Sequence, residues 1–175
     1  MADVVIGNVI LTAALAIALL LFVASASGLS TVYTLRIRET LLQGEAASVA
    51  QTIQQVYVIV NSSQIPSNTS FVVKTLGLPV QLDGYSYNVS VTVRPVQIKG
   101  GSGGSVDALT VSVTLLGAYA SASSTVILGR NFQFSTQSVY GYNNPTLIVY
   151  KCATSQQPSN PCYNVLQGTV VMKFG

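Results

Sequence analysis

The sequence lacks histidine and tryptophan, and it has only five acidic side chains. Histidine is the commonest general base and the commonest metal ligand in proteins, so its absence removes the usual centre of both kinds of site. The carboxylates are dispersed and form no obvious acid–base pair: Asp3, Glu39, Glu45, Asp83 and Asp107. We therefore predict that the chain is not an enzyme and that it holds no metal or cofactor.

Charge of either sign is scarce. Charged residues make up 7% of the 175 residues, against roughly 25% in ordinary soluble domains, whereas hydrophobic residues make up 49%. We expect such a chain to hide its surface in a membrane, in an assembly or under sugars. The net charge of +3 comes from scattered basic residues, of which only Arg36 and Arg38 lie close together. A nucleic-acid surface needs a basic cluster, so no nucleic-acid partner is expected.

The two cysteines, Cys152 and Cys162, stand ten positions apart and flank a polar loop. This arrangement favours a loop-closing disulfide, formed in an oxidising compartment. Two free thiols are the alternative. A zinc site would need two further soft ligands, which the chain does not have.

A long run without charge follows the N-terminus. No charged residue occurs from Val4 to Leu35, which exceeds the ~20 residues that cross a bilayer as a helix. One interpretation is a cleaved secretory signal, although no Lys or Arg precedes the run as such a signal normally requires. A single-pass membrane anchor is the second interpretation, and the helical core of a filament is the third.

The helical pattern continues beyond this run. Apolar residues recur at helical spacing as far as Val60, with polar helix formers between them. A near-continuous helix from Val4 to Val60 would be roughly 85 Å long at 1.5 Å per residue, a length that a filament core uses and an anchor does not need. Small residues four positions apart let apolar helices approach closely. The predicted filament-core residues are Ala14, Ala18, Ala24, Gly28, Leu35, Leu42, Val49 and Ile53.

The chain changes character after Asn61, which predicts a helical domain over residues 1–60 and a β-rich head over residues 61–175. Alternation of apolar and polar residues predicts strands from Tyr85 to Arg94 and from Leu109 to Leu115. Weaker strand candidates cover residues 71–76, 124–128, 132–138, 146–150 and 168–173, and the glycine-rich residues 99–105 suggest a hairpin loop. The sequence therefore predicts an α+β protein, with a long N-terminal helix followed by an antiparallel β-sandwich-like head.

Three triplets match the sequon Asn-x-Ser/Thr, at Asn61, Asn68 and Asn88. All three lie beyond the apolar helix, where a location outside the cell would place them. Asn88 falls on the polar side of its predicted strand, so a sugar there is expected to point to solvent. These positions are candidates for N-linked glycans.

Three features combine over the whole chain. The apolar stretch Val5–Phe22 runs on into Leu41–Ala47, a polar junction follows at Asn61-Ser62-Ser63, and Leu78-Pro79-Val80 leads into Gly84-Tyr85-Ser86-Tyr87. In these features the chain resembles archaeal type IV pilins and their relatives, the archaellins. The resemblance implies assembly by a cytoplasmic ATPase and a membrane platform protein, with β-rich and often glycosylated heads on the filament surface.

We therefore expect a structural subunit that polymerises with identical copies into a helical filament on the cell surface, serving adhesion or attachment. Before assembly it would reside in the cytoplasmic membrane. The alternative is a single-pass membrane-anchored cell-surface binding domain. In that case the segment from Leu35 to Val60 would not be buried between subunits.

Overall fold

One helix, α1, extends from Ala2 to Asn61, as the helical spacing predicts. The structure is a computed structural model, and it describes residues 2–62, 72–97, 105–118, 120–129, 131–135, 138–152, 162 and 165–175. The chain divides into two compact units, Met1–Arg38 and Glu39–Gly175. The helix contributes residues to both units, and we refer to the second unit as the head.

Eight strands follow the helix, and with it they make an α+β fold. Their bounds are β1 Val72–Thr75, β2 Tyr87–Gln97, β3 Ser105–Leu115, β4 Ser121–Leu128, β5 Phe132–Phe134, β6 Ser138–Tyr140, β7 Thr146–Lys151 and β8 Val170–Phe174. One four-stranded sheet has the order β4-β3-β2-β6, and the other has the order β1-β7-β8-β5.

The two strands with the clearest alternation form a long antiparallel pair, β2 and β3. Tyr87, Val89 and Val91 of β2 are buried. The four alternating apolar residues of β3 are also buried: Leu109, Val111, Val113 and Leu115. Both strand predictions are therefore confirmed in substance.

The predicted start of β2 is wrong. Tyr85 lies outside the strand, because it closes a tight turn with Leu82 through two backbone hydrogen bonds of 2.9 and 3.0 Å. The turn residues Asp83 and Gly84 both have positive φ, 50° and 78°, as the Asp-Gly pair favours. At its other end β2 continues beyond Arg94 to Gln97.

Two other expectations about the sheets need correction. β5 and β8 pair in parallel, so the second sheet is mixed and not wholly antiparallel. The segment predicted as one strand from Phe132 to Ser138 contains β5 and only the first residue of β6, and these two short strands lie in different sheets. Strands of three residues carry too little alternation to reveal such a division.

The core of the head contains part of the helix as well as both sheets. Leu42, Val49, Ile53 and Val60 are buried in one apolar cluster with β2, β3, β7 and β8. The polar residues between them, such as Gln51, remain exposed. The boundary therefore lies after Arg38 and not at residue 60, since the apolar stripe of residues 42–60 packs onto the head's own strands.

The predicted disulfide between Cys152 and Cys162 is present, and both sulfurs are buried beside Val171. Backbone hydrogen bonds of 2.9 Å tie Cys152 to the segment before β8, because its N–H donates to Thr169 and its carbonyl accepts from Gly168. The crosslink thus joins the end of β7 to the chain that leads to β8. Residues 153–161 lie outside the described part of the chain.

Candidate assembly interface

The helix surface of the first unit is apolar and open. Sixteen large apolar side chains between Ile6 and Ile37 are each 50–74% exposed, Phe22 the most. Apolar residues occur on every side of the helix over this range, and no stripe of charge separates them. A helix that is apolar all round is stable only when lipid or protein surrounds it.

Five of the polar side chains within this run have hydrogen-bond partners in the helix itself. Five hydroxyls donate to a backbone carbonyl three or four residues earlier, over 2.7–3.1 Å: Thr12, Ser25, Ser27, Thr31 and Thr34. Such internal bonds remove the cost of placing a hydroxyl in an apolar environment. The run can therefore enter lipid or a packed helix core without leaving these donors unsatisfied.

Four of the predicted packing residues lie on one side of this exposed segment. At 100° per residue, Ala14, Ala18, Ala24 and Gly28 fall within an arc of about 120°. All four are exposed, and apart from the adjacent residues and the helix's own backbone no atom lies within 4 Å of the place where a Cβ of Gly28 would stand. The same arc also carries the larger Ile17 and Leu21, so another helix could approach at close range beside the pairs Ala14–Ala18 and Ala24–Gly28, and we call these four residues the small-residue arc. Leu35, the fifth predicted residue, is also exposed.

The other three predicted filament-core residues occupy a different place. Leu42, Val49 and Ile53 are almost wholly buried, and their neighbours are strands of the same chain. The structure thus assigns them to the core of the head. Their helical spacing correctly marked a buried face, but it carried no information about whether a neighbouring subunit or the same subunit covers that face.

The candidate glycosylation sites differ in exposure. Asn61 is exposed at the end of α1, where its Nδ2 lies 3.5 Å from the hydroxyl of Tyr57. Asn88 lies in β2 between β3 and β6, and its Oδ1 is buried with no hydrogen-bond partner among the residues that the structure describes. That placement disfavours the expectation that a sugar on Asn88 points to solvent. Asn68 lies outside the described residues.

Burial raises the pKa of two titratable groups, Glu45 of the helix and Tyr87 of β2. Tyr87 is fully buried and donates its hydroxyl to the carbonyl of Pro79 over 2.6 Å. Burial raises the pKa of Tyr87, and the negative charge of Glu45 raises it further. Burial also raises the pKa of Glu45. Within the described ranges, no three His, Cys, Asp or Glu side chains lie close enough to hold a metal.

Sequence reasoning missed the side chain that caps the helix. The Nζ atom of Lys151, in β7, donates to the carbonyl of Ser62 over 2.8 Å, one residue beyond the end of α1. The last turn of the helix carries no basic residue of its own. A cation at this end opposes the partial negative charge of the helix dipole. Nothing local in the sequence connects positions 62 and 151, so only the fold reveals the contact.

In the part of the chain that the structure describes, α1 is long and apolar enough to cross a membrane, and its most apolar window has no buried residue. No protein-family model matches the chain, and no curated protein or solved structure matches it significantly.

Proposed function

We propose that the chain is the structural subunit of an extracellular filament of the archaeal type IV pilus kind. In this proposal the exposed helix segment, Ile6–Ile37, spans the cytoplasmic membrane before assembly and packs against identical subunits afterwards. The observation that carries the proposal is the length of the charge-free run from Val4 to Leu35, together with the exposure of its large apolar side chains from Ile6 onward.

The run from Val4 to Leu35 would be about 48 Å long as a helix at 1.5 Å per residue, whereas the hydrocarbon core of a bilayer is about 30 Å thick. Leu29, Val32 and Tyr33 are 50–66% exposed. If lipid covers the residues that precede them, these three lie near or beyond the edge of the hydrocarbon. In a single-pass anchor, lipid would not cover these apolar side chains, whereas neighbouring helices in a filament would cover them.

Moving this exposed apolar surface out of water would release a large free energy. Removing a large apolar side chain from water contributes about 1.5–3 kcal/mol, so burial of sixteen half-exposed side chains would contribute on the order of tens of kcal/mol. A filament held together in this way should resist dilution and heat. The free subunit should be confined to the membrane or to detergent.

The resemblance to archaeal pilins supplies the remaining parts of the proposal. A cytoplasmic ATPase and a membrane platform protein would drive assembly, and the heads would face outward, with Asn61 the exposed glycan candidate among the described sequons. Adhesion or attachment to surfaces would be the filament's use. No catalytic role is proposed.

A single-pass membrane-anchored cell-surface binding domain is the second candidate, and one observation favours it. The helix from Leu42 to Val60 is buried in the head of its own chain. The full length of α1 therefore does not by itself require a filament, and the choice depends on the exposed segment alone.

The test is electron microscopy of material sheared from producing cells, with the subunit identified by mass spectrometry. Filaments made of this chain would support the proposal. If the chain stays in the membrane fraction as single copies and no filament contains it, the anchored domain replaces the filament subunit.

A pair of variants separates packing from membrane insertion. Ala18→Leu keeps the segment apolar but enlarges a residue of the small-residue arc, whereas Leu19→Phe enlarges a side chain that lies outside the arc. Overpacking costs about 1–3 kcal/mol per site, so Ala18→Leu should lower filament yield by about tenfold or more while membrane levels stay unchanged. Equal filament yields from the two variants would count against close helix packing at the arc.

A further inference from the structure

The edges of the two sheets are unequal. β1, β5 and β6 are edge strands of four, three and three residues, whereas β4 is an edge strand of eight. Natural proteins protect long edges with charge, proline or bulges, because an open edge can pair with another chain. β4 has none of these features: it contains no charged residue and no proline, and its register with β3 is continuous.

No other strand of the described residues pairs with the outer edge of β4, and the backbone groups at this edge can be identified. The N–H of Leu115 donates to the carbonyl of the directly opposite Ala120 over 3.0 Å, which makes this a hydrogen-bonded pair. Such pairs alternate along an antiparallel ladder, so the even-numbered residues of β4 bond to β3. The N–H and C=O groups that point away from β3 therefore belong to Ser121, Ser123, Thr125 and Ile127.

These outward groups can pair with their own copies. Two antiparallel β4 strands can be aligned so that Ser121 lies opposite Ile127 and Ser123 opposite Thr125. This register uses all four outward residues of each strand, which gives about eight hydrogen bonds at two per hydrogen-bonded pair. It keeps the inner and outer faces of the two sheets aligned, because each pair joins residues of the same parity. Ser124 then lies opposite Ser124 of the second copy, in a non-hydrogen-bonded position.

We propose that β4 pairs antiparallel with β4 of a second copy of this chain, centred on Ser124, and joins two β4-β3-β2-β6 sheets into one. The occupant is a second copy because the register is self-complementary and because neither edge carries a charge that would repel its twin. Ile127, which is 64% exposed, gains a partner strand beside it.

This contact is distinct from packing through the exposed helix segment. A two-fold contact uses the same surface on both partners, whereas neighbours within a polar helical filament meet through different surfaces. The β4 contact therefore joins heads of two filaments side by side. That role in bundling rests on the proposed function, but the pairing itself does not.

Cysteine crosslinking tests the register. Opposed residues at a non-hydrogen-bonded position have Cα atoms about 4.5 Å apart, within the range that a disulfide bridges. The full-length Ser124→Cys variant in detergent, under mild oxidation, should form a covalent dimer on non-reducing gels. Ser123→Cys is the matched control, because its diagonal separation of about 7–8 Å is too long for a disulfide.

A second pair of variants tests the backbone groups. Thr125→Pro removes an outward N–H and leaves the β3 ladder intact, and Thr125→Val keeps that N–H. Both lose the 3.0 Å contact between the hydroxyls of Thr125 and Thr110, so stability changes from that loss are matched. Thr125→Pro should weaken dimerisation in analytical ultracentrifugation by about twentyfold, since the symmetric dimer loses two hydrogen bonds. Thr125→Val should retain the affinity of the parent chain.

Absence of the Ser124→Cys dimer, together with equal association of the two Thr125 variants, would overturn the proposal. Crosslinking through Thr125→Cys in place of Ser124→Cys would also overturn it, because the strands would then be centred elsewhere. Filament formation is scored separately by microscopy. Filaments without β4 crosslinks would refute only the pairing, and crosslinks without filaments would refute only the filament.

Discussion

Truncation of Ile53 tests whether the end of α1 belongs to the head. Ile53 is 0% exposed in the apolar cluster of the head, whereas Ile59, on the same helix, is 59% exposed. Replacing a buried Ile by Ala removes apolar contacts and leaves a cavity, at a cost of about 2–5 kcal/mol. The same change at Ile59 removes little buried surface and should cost less than about 0.5 kcal/mol.

The expected shift in melting temperature follows from the size of the head. A domain of this size loses about 3 °C per kcal/mol, so Ile53→Ala should lower Tm by about 6–15 °C and Ile59→Ala by less than about 2 °C. The full chain in detergent can be followed by near-ultraviolet circular dichroism of its nine tyrosines, since it has no tryptophan. Both variants change one Ile to Ala in the same helix, so differences in helix propensity cancel.

The outcome also decides where this part of the helix acts. If Ile53 were covered only by a neighbouring subunit, Ile53→Ala would leave the melting of the isolated subunit unchanged and would weaken the filament instead. Equal melting temperatures for the Ile53 and Ile59 variants would therefore refute the packing of residues 42–60 onto the head.

Three further predictions concern the head. Gly141→Ala should lower the free energy of unfolding by about 1–3 kcal/mol in chemical denaturation, because its Cβ would overlap the ring of Tyr87, which is fully buried and cannot move aside. Lys151→Met should cost about 1 kcal/mol in the same assay, because it removes the hydrogen bond to the carbonyl of Ser62. Burial raises the folded-state pKa of Glu45 above 4.5, so the folded head binds protons more tightly than the unfolded chain, and its stability should fall as pH rises from about 4.5 through that raised pKa. Glu45→Gln should remove this part of the pH dependence and raise Tm at pH 7.

Matched controls distinguish these effects from general damage. Gly44→Ala places a Cβ in mid-helix where no atom beyond the adjacent residues and the helix's own backbone lies within 4 Å, so it should stabilise the head by about 0.5–1 kcal/mol, opposite in sign to Gly141→Ala. Lys74→Met removes an exposed basic residue from β1 and should change stability by less than about 0.5 kcal/mol. A loss at either control equal to that of its partner would contradict the assigned contact.

The sequence predicted those elements whose signal is local. Alternation identified β2 and β3, since every second residue of a half-buried strand faces the core. The Cys152–Cys162 crosslink was also predicted, because it depends on residues close together in the chain.

The missed features depend on contacts between distant parts of the chain. The parallel pairing of β5 with β8 involves strands of three and five residues separated by more than thirty positions. The helical spacing of Leu42 and Ile53 showed that one face of the helix is buried. We predicted that another subunit covers this face, whereas in the structure the strands of the head cover it. Periodicity shows which face of a helix is buried, but it does not show whether the same chain or another subunit buries that face.

The two parts of α1 therefore differ in how their apolar side chains are arranged and in which surroundings stabilise them. From residue 42 to residue 60 an apolar stripe is buried and the opposite side is largely polar, which suits one partner on one side. From Ile6 to Ile37 apolar side chains face all directions, which suits lipid or neighbours on every side. Lipid tails are about as apolar as leucine, so a move from bilayer to filament core gains little from the hydrophobic effect. The preference for the filament must then come from close packing, and the small-residue arc at Ala14, Ala18, Ala24 and Gly28 is the part of the exposed segment best suited to provide it. This is why enlarging Ala18 should affect assembly far more than membrane insertion.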